Sequence, residues 1–209
     1  MGKREDNKAR KRADLERAAI ALFLQQGYVA TSIEQIVADA GVARGTFYLY
    51  FDDKESLFHS LVSAALDPVV EALLDARLAL EAAASAVETQ AAYGFLAAAL
   101  ARAVTEHPEA TLLFYREQRS PGAIGAWLRS RQGQLDQFVV ELVRSLTERG
   151  LIRATMPQLT ALAIVGAIDR LAYAWLSGVD LGDPSDVGPS IVRLFGEGLA
   201  GLEGVSSDD

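Results

Sequence analysis

The strongest constraint on what this chain can fold into lies at residues 41–51, Gly-Val-Ala-Arg-Gly-Thr-Phe-Tyr-Leu-Tyr-Phe, followed by Asp52-Asp53-Lys54-Glu55-Ser56-Leu57. A glycine turn leads into one short helix. Phe47 and Phe51 are four residues apart and share a face, while Tyr48 and Leu49 point about 100° and 200° away from Phe47. The four cannot all be core. A helix that anchors itself with Phe and turns Arg, Thr and Tyr outward is shaped to press on a polar surface, and DNA is the first candidate.

The pattern around this segment is helical throughout, with no convincing strand alternation. A first helix is expected near 12–26, where Leu15, Ala18, Ala19, Leu22 and Phe23 recur at helical spacing and Gly27 supplies the C-terminal stop. A second, near 32–39, has Thr31 and Ser32 as cap residues with Glu34 and Gln35 three positions after each. Gly41 breaks it. The third runs from Arg44 to about Phe51, and Asp52 or Asp53 caps a fourth, which Pro68 is expected to kink or restart. Further helices fit 79–104, the stretch from His107-Pro108 to about 119, 123–149, 157–177 and 189–202. The expectation is an all-α chain of about nine helices. It divides into 1–55, a helix-turn-helix domain with a basic N-terminal arm, and 56–204, a larger helical domain, with a disordered tail at 205–209.

Composition limits the chemistry. The 209 residues contain no cysteine, which excludes disulfides, thiolate metal sites and a cysteine nucleophile and suits a reducing cytoplasm. No apolar run is expected to reach the ~20 residues that span a bilayer, and no secretory signal is seen, so no membrane partner is expected. The net charge of −8 is unevenly spread: residues 1–60 balance nine Lys/Arg against nine Asp/Glu, whereas the remainder is acidic. Lys3, Arg4, Lys8, Arg10, Lys11 and Arg12 crowd the N-terminus. Such an arm can bind phosphate on an otherwise acidic protein, although a solvated tail has the same composition.

Two short helices joined through Ala40-Gly41-Val42-Ala43 match a helix-turn-helix. Arg44 can reach guanine or phosphate, and Leu49 can meet a thymine methyl. The hydroxyls of Thr46, Tyr48 and Tyr50 and the ammonium of Lys54 are candidate phosphate contacts, as are Thr31 and Ser32. Gly45 permits close approach of the backbone. Three packed helices of an ordinary α domain would show the same spacing.

Residues 12–60 resemble the N-terminal domain of TetR-family transcriptional regulators. The matching elements are Phe23-Leu24-Gln25-Gln26-Gly27-Tyr28, Thr31-Ser32-Ile33-Glu34-Gln35-Ile36, Ala40 to Tyr48, Tyr50-Phe51 and Lys54-Glu55-Ser56-Leu57. Asp53 and Leu49 depart from the residues frequent there, and Leu49 bears on base preference. The resemblance implies a homodimer on a palindromic double-stranded operator, with a larger domain that binds a small-molecule effector and lowers DNA affinity when occupied. A constitutive DNA-binding regulator without a ligand switch is the alternative.

The resemblance also implies that the last two helices build a dimer interface, which would use Leu162, Val165, Gly166 and Asp169 with Ile191, Leu194, Phe195, Gly198, Leu199 and Leu202. Asp169 and Arg170 are the only charges between Met156 and Ser177 and are expected to pair across the dimer rather than face a ligand. Aromatic residues of the larger domain are candidate ligand contacts: Tyr93, Phe114, Tyr115, Trp127, Phe138, Tyr173 and Trp175. Phe114-Tyr115-Arg116-Glu117-Gln118 resembles a stretch of fatty-acid-responsive family members, which would place Arg116 or Arg119 near an acidic head group.

No enzyme reading survives. His59 and His107 are far apart, and no nucleophile elbow or paired carboxylates occur. Gly196-Glu197-Gly198-Leu199-Ala200-Gly201 spells a dinucleotide-binding motif but sits in a helical stripe, without the strand such a site needs. No cofactor and no metal are expected.

Overall fold

A computed structural model describes residues 3–83, 85–152, 154–183, 186 and 190. The described residues form eight helices and no strand: α1 (Lys3–Gln26), α2 (Ile33–Asp39), α3 (Arg44–Phe47), α4 (Lys54–Ala82), α5 (Ala86–Glu106), α6 (Pro108–Glu117), α7 (Ala123–Glu148) and α8 (Pro157–Leu176). The expected last helix, with Ile191, Leu194, Phe195, Gly198, Leu199 and Leu202, and the tail 205–209 lie outside the described residues.

Several helix bounds differ from expectation, among them that of the helix expected from 79, where α4 runs to Ala82 and α5 begins at Ala86. α1 begins at Lys3, so the basic arm is the first turns of a helix rather than a tail. The third helix closes at Phe47, and residues 48–50 continue as turns in which Leu49 N–H reaches the Thr46 carbonyl and Tyr50 N–H the Phe47 carbonyl. α4 runs through Pro68 without a restart.

The chain divides into two compact units. The first comprises residues 1–66 and 107–128, the second 67–106 and 129–209. The first unit has a continuous core in which Leu15, Phe23, Ile36, Phe47, Leu57, Phe58, Leu113 and Leu128 are wholly or almost wholly buried. It takes in α6 and the start of α7, which no local sequence signal announced. The second unit holds smaller clusters: Leu80 with Ala92, Leu142 and Leu146; Val140 with Val143, Ala154 and Ala161; and Val69 with Leu73.

Both α4 and α8 prove long and apolar enough, by length and composition, to cross a membrane, which corrects the expectation that no stretch reaches that length. They differ in what covers them. Half of the apolar window of α4 is buried within the protein, against 11% for α8. Only Ala161 and Ala174 of α8 are buried, and Leu159, Leu162 and Tyr173 are exposed.

Candidate nucleic-acid interface

The reading segment is built from its turns outward. Gly27 adopts φ +85° and Gly41 φ +65°, the left-handed values that end α1 and α2 at little cost for glycine. Between them Ser32 caps α2: its Oγ accepts from Gln35 N–H at 3.2 Å, and the Gln35 side chain accepts from Ser32 N–H at 2.8 Å. This reciprocal box was legible in the sequence. Val42 N–H reaches back to the Val37 carbonyl, and the Val42 side chain packs on the core between α2 and α3. Phe47 and Phe51 are buried as their spacing required. At the start of α4, Asp53 Oδ1 accepts from Ser56 N–H at 2.7 Å, which settles which aspartate is the cap.

Anchoring by the two phenylalanines leaves an outward face. Leu49 is 73% exposed and Tyr48 48%. Arg44 is exposed and meets Glu34 at 2.7 Å. Contact with the Tyr48 hydroxyl, and then Glu34, holds the guanidinium even more firmly protonated than usual. Both partners of the Arg44–Glu34 pair are solvated, so it adds little stability. Its effect is to aim the guanidinium from α3 along α2. Sequence reasoning missed Glu34 in this part. Gly45 is open, with no atom near the position of an added Cβ. Thr46 is half-buried, and the Tyr50 ring packs partly on the core.

Two candidate contacts have other duties. Thr31 is 2% exposed, and its hydroxyl donates to the Gly27 carbonyl at 2.8 Å while accepting from Gln26. Its side chain is spent inside the turn, which corrects the expectation of a phosphate contact. The Lys54 ammonium donates to the carbonyls of Tyr28, at 2.7 Å, and Thr31, and lies 4.3 Å from the centre of the Tyr28 ring. Burial pulls its pKa down. Lys54 therefore fastens the turn before α2 to α4 instead of projecting to phosphate. Ser32 keeps both roles open, because its oxygen accepts within the cap while its O–H proton remains a donor.

The N-terminal turns of α1 adjoin the same face. Glu5, Lys8, Ala9 and Arg12 line an open groove of about 330 Å³ with Leu49 and Tyr50. Arg12 is exposed but held: it bonds Glu16 at 2.8 Å and Ser60 at 3.0 Å and lies over the Phe51 ring.

The candidate ligand contacts are placed in each unit separately. Phe114 is buried in the core of the first unit, Tyr115 packs against that core, and Trp127 stacks on His59 with ring centres 4.1 Å apart. Arg116 donates to the Leu24 carbonyl at 2.9 Å. Phe138, Tyr173 and Trp175 belong to the second unit, and the Tyr93 side chain lies outside the described residues. The aromatic set is thus divided between two units; of its first-unit members Phe114 is core, and Tyr115 and Trp127 pack against it. In α8, Leu162 and Gly166 are exposed, and Val165 and Asp169 half-buried. Among the described residues no three His, Asp or Glu side chains gather where a metal ion could be held.

Residues 16–61 match the family described as bacterial regulatory proteins, tetR family. The HTH-type transcriptional regulator YuxN of Bacillus subtilis is 35% identical over 57 residues, 27% of this chain and 20% of that protein. The HTH-type transcriptional regulator HbdR of Aromatoleum sp. is 28% identical over 161 residues, 76% of this chain and 65% of HbdR. The chain spans 17–31% of the length of the first curated relatives it matches. Among solved structures, the transcriptional regulator FadR of Bacillus subtilis in complex with stearoyl-CoA superposes with a TM-score of 0.65 at 19% identity, over 89% of this chain and 98% of FadR. At that identity the likeness is one of fold.

Proposed function

We propose, for a chain that belongs to the tetR family of bacterial regulatory proteins, that it is a dimeric transcriptional regulator which represses from a palindromic operator in the cytoplasm and is released by a small apolar or aromatic ligand. The observation that carries the DNA-binding part is the exposed face of Arg44, Tyr48 and Leu49 over a buried Phe47. Arg44 supplies a fork for guanine or phosphate, Leu49 an apolar edge for a thymine methyl, and Tyr48 a hydroxyl for the backbone. Gly45, Thr46 and Ser32 are secondary contacts, and Tyr50 adds its edge at the groove. The uncovered apolar surface of α8 supports pairing with a second copy, because a helix apolar nearly all round must be covered on several sides. In a dimer the two reading segments fit half-sites about one helical turn apart, and a ligand that favours another spacing lowers affinity for both together.

Binding to a duplex selected from random-sequence DNA by the full chain, titrated with salt, tests this reading. Affinity should fall steeply as salt rises. Arg44→Ala should lose about tenfold to a hundredfold and relax preference at one position of each half-site. Affinity indifferent to salt would overturn DNA binding. The burial of Phe114 in the first-unit core and the bond of Arg116 to the Leu24 carbonyl favour a second reading, a constitutive regulator. A thermal-shift measurement with stearoyl-CoA, the ligand named with FadR, and a panel of aromatic acids separates the two: no compound should shift a constitutive regulator.

A further inference from the structure

Glu117, the last residue of α6, is 6% exposed, a carboxylate in the packed interior of the first unit. Its Oε1 accepts from the Tyr28 backbone N–H at 3.1 Å, and its Oε2 accepts from the Ser120 hydroxyl. The carboxylate sits against the turn itself: a Cβ added at Gly27 would lie 3.6 Å from Oε1. Burying such a group is costly, and an apolar side chain of similar size often serves stability as well or better. Nor is it needed to dock α6, because Ala110, Leu113 and Phe114 already bury that helix in the core. What the carboxylate adds is direction.

The turn it holds is the one that fixes α2. Both backbone polar groups of Tyr28 are taken, the N–H by Glu117 from α6 and the carbonyl by Lys54 from α4. Lys54 also takes the Thr31 carbonyl, and the next residue is Ser32, the cap of α2. Arg116 adds a bond from α6 to the Leu24 carbonyl near the end of α1. The entry to the helix-turn-helix is therefore gripped from two sides by residues far apart in sequence.

We propose that Glu117 is a positioning residue for DNA binding: through its bond to Tyr28 N–H it sets the turn before α2, and so the placement of α2 and α3 against DNA. This rests on the DNA-binding reading above. The test uses the full chain, a duplex selected by the wild type, and amide hydrogen exchange of residues 27–35 without DNA. Glu117→Ala should weaken DNA binding about tenfold, in keeping with loss of a bond to a charged acceptor, and should speed exchange in 27–35. The slope of log affinity against log salt should stay the same, because no phosphate contact is lost. Glu117→Gln keeps an acceptor for Tyr28 N–H and a donor for Ser120, and should restore both readouts to within about threefold of wild type. If Glu117→Ala fails to fold, Ser120→Ala carries the test, and must speed exchange and weaken binding together.

Wild-type affinity in Glu117→Ala, an equal defect in Glu117→Gln, or a flatter salt slope would each overturn the proposal. Faster exchange with unchanged DNA affinity would overturn it too. A wild-type chain that binds no duplex instead overturns the regulator reading, and exchange alone then decides whether Glu117 holds the turn.

Discussion

The two compact units bury their side chains differently. Of the eleven largest fully buried side chains among the described residues, ten lie in the first unit, and only Leu80 lies in the second. The first unit interlocks Phe23, Tyr28, Phe58 and Trp127 through ring contacts and seals a charged residue inside. The second distributes its apolar residues among small clusters and leaves Leu78, Val87, Phe95, Leu159 and Leu162 exposed. A surface that reads DNA needs a rigid base, because misplacing a donor forfeits its bond. A surface that pairs with a second copy must instead leave apolar area to be covered on assembly. The difference follows from the work proposed for each unit.

Substitutions can break this comparison. The largest effect is expected at Phe47, fully buried beneath the reading face. Phe47→Ala should cost about 3–5 kcal/mol in denaturant unfolding, and half-buried Phe138→Ala below about 3 kcal/mol. Equal costs would mean that the second unit packs as tightly as the first. Next comes Leu162→Arg on the open face of α8. Sedimentation should show the dimer dissociating and DNA affinity falling, with unfolding of the first unit unchanged. A wild type already monomeric at operator-binding concentrations would remove the reason given for the exposed apolar surface. Ser32→Ala deletes the α2 cap and should cost about 1 kcal/mol. If the cost appears only in DNA binding, the hydroxyl serves phosphate more than the helix.

The smallest effect concerns Tyr28. Burial first, then Glu55 and Asp53, pushes its phenol from the ordinary 10.0 to about 12. An acid whose pKa is raised by folding stabilises the folded state below its unfolded value. That contribution is full below pH 10.0 and is lost as pH climbs toward 12. Tyr28→Phe should remove this part of the alkaline loss, seen as a shallower fall of melting temperature over that window. Parallel curves for the two proteins would place the phenol in solvent.

The local features were legible because they are local. Gly27, Ser32 with Gln35, Gly41, Phe47 and Phe51 each act within a turn or two of themselves, and spacing alone gives their parts. Thr31 and Lys54 were misjudged because hydroxyls and ammonium groups serve a backbone carbonyl as readily as a phosphate. Which one they meet depends on whether the side chain turns inward. Glu117 was invisible as a partner of Tyr28 because 89 residues separate them. The aromatic residues Phe114 and Trp127 carried no mark of belonging to the first unit, since helical periodicity tells which face is buried but not against what. α1 extends to Lys3 although its first turns show no apolar stripe, with Glu5 and Asp6 in the first turn complementing the helix dipole.

The brevity of α3 has a practical consequence for anyone wishing to rewrite the specificity of such a protein. The helix itself ends at Phe47, and Tyr48 and Leu49 ride on the turn that follows, both exposed although the Tyr48 ring edges onto Phe47. Arg44 also stands in solvent, held by contacts that a replacement can forgo. If these residues contact DNA as proposed, a combinatorial library restricted to positions 44, 48 and 49 should yield new operator preferences while most members still fold. The scaffold separates the alphabet it reads with from the frame that holds the page.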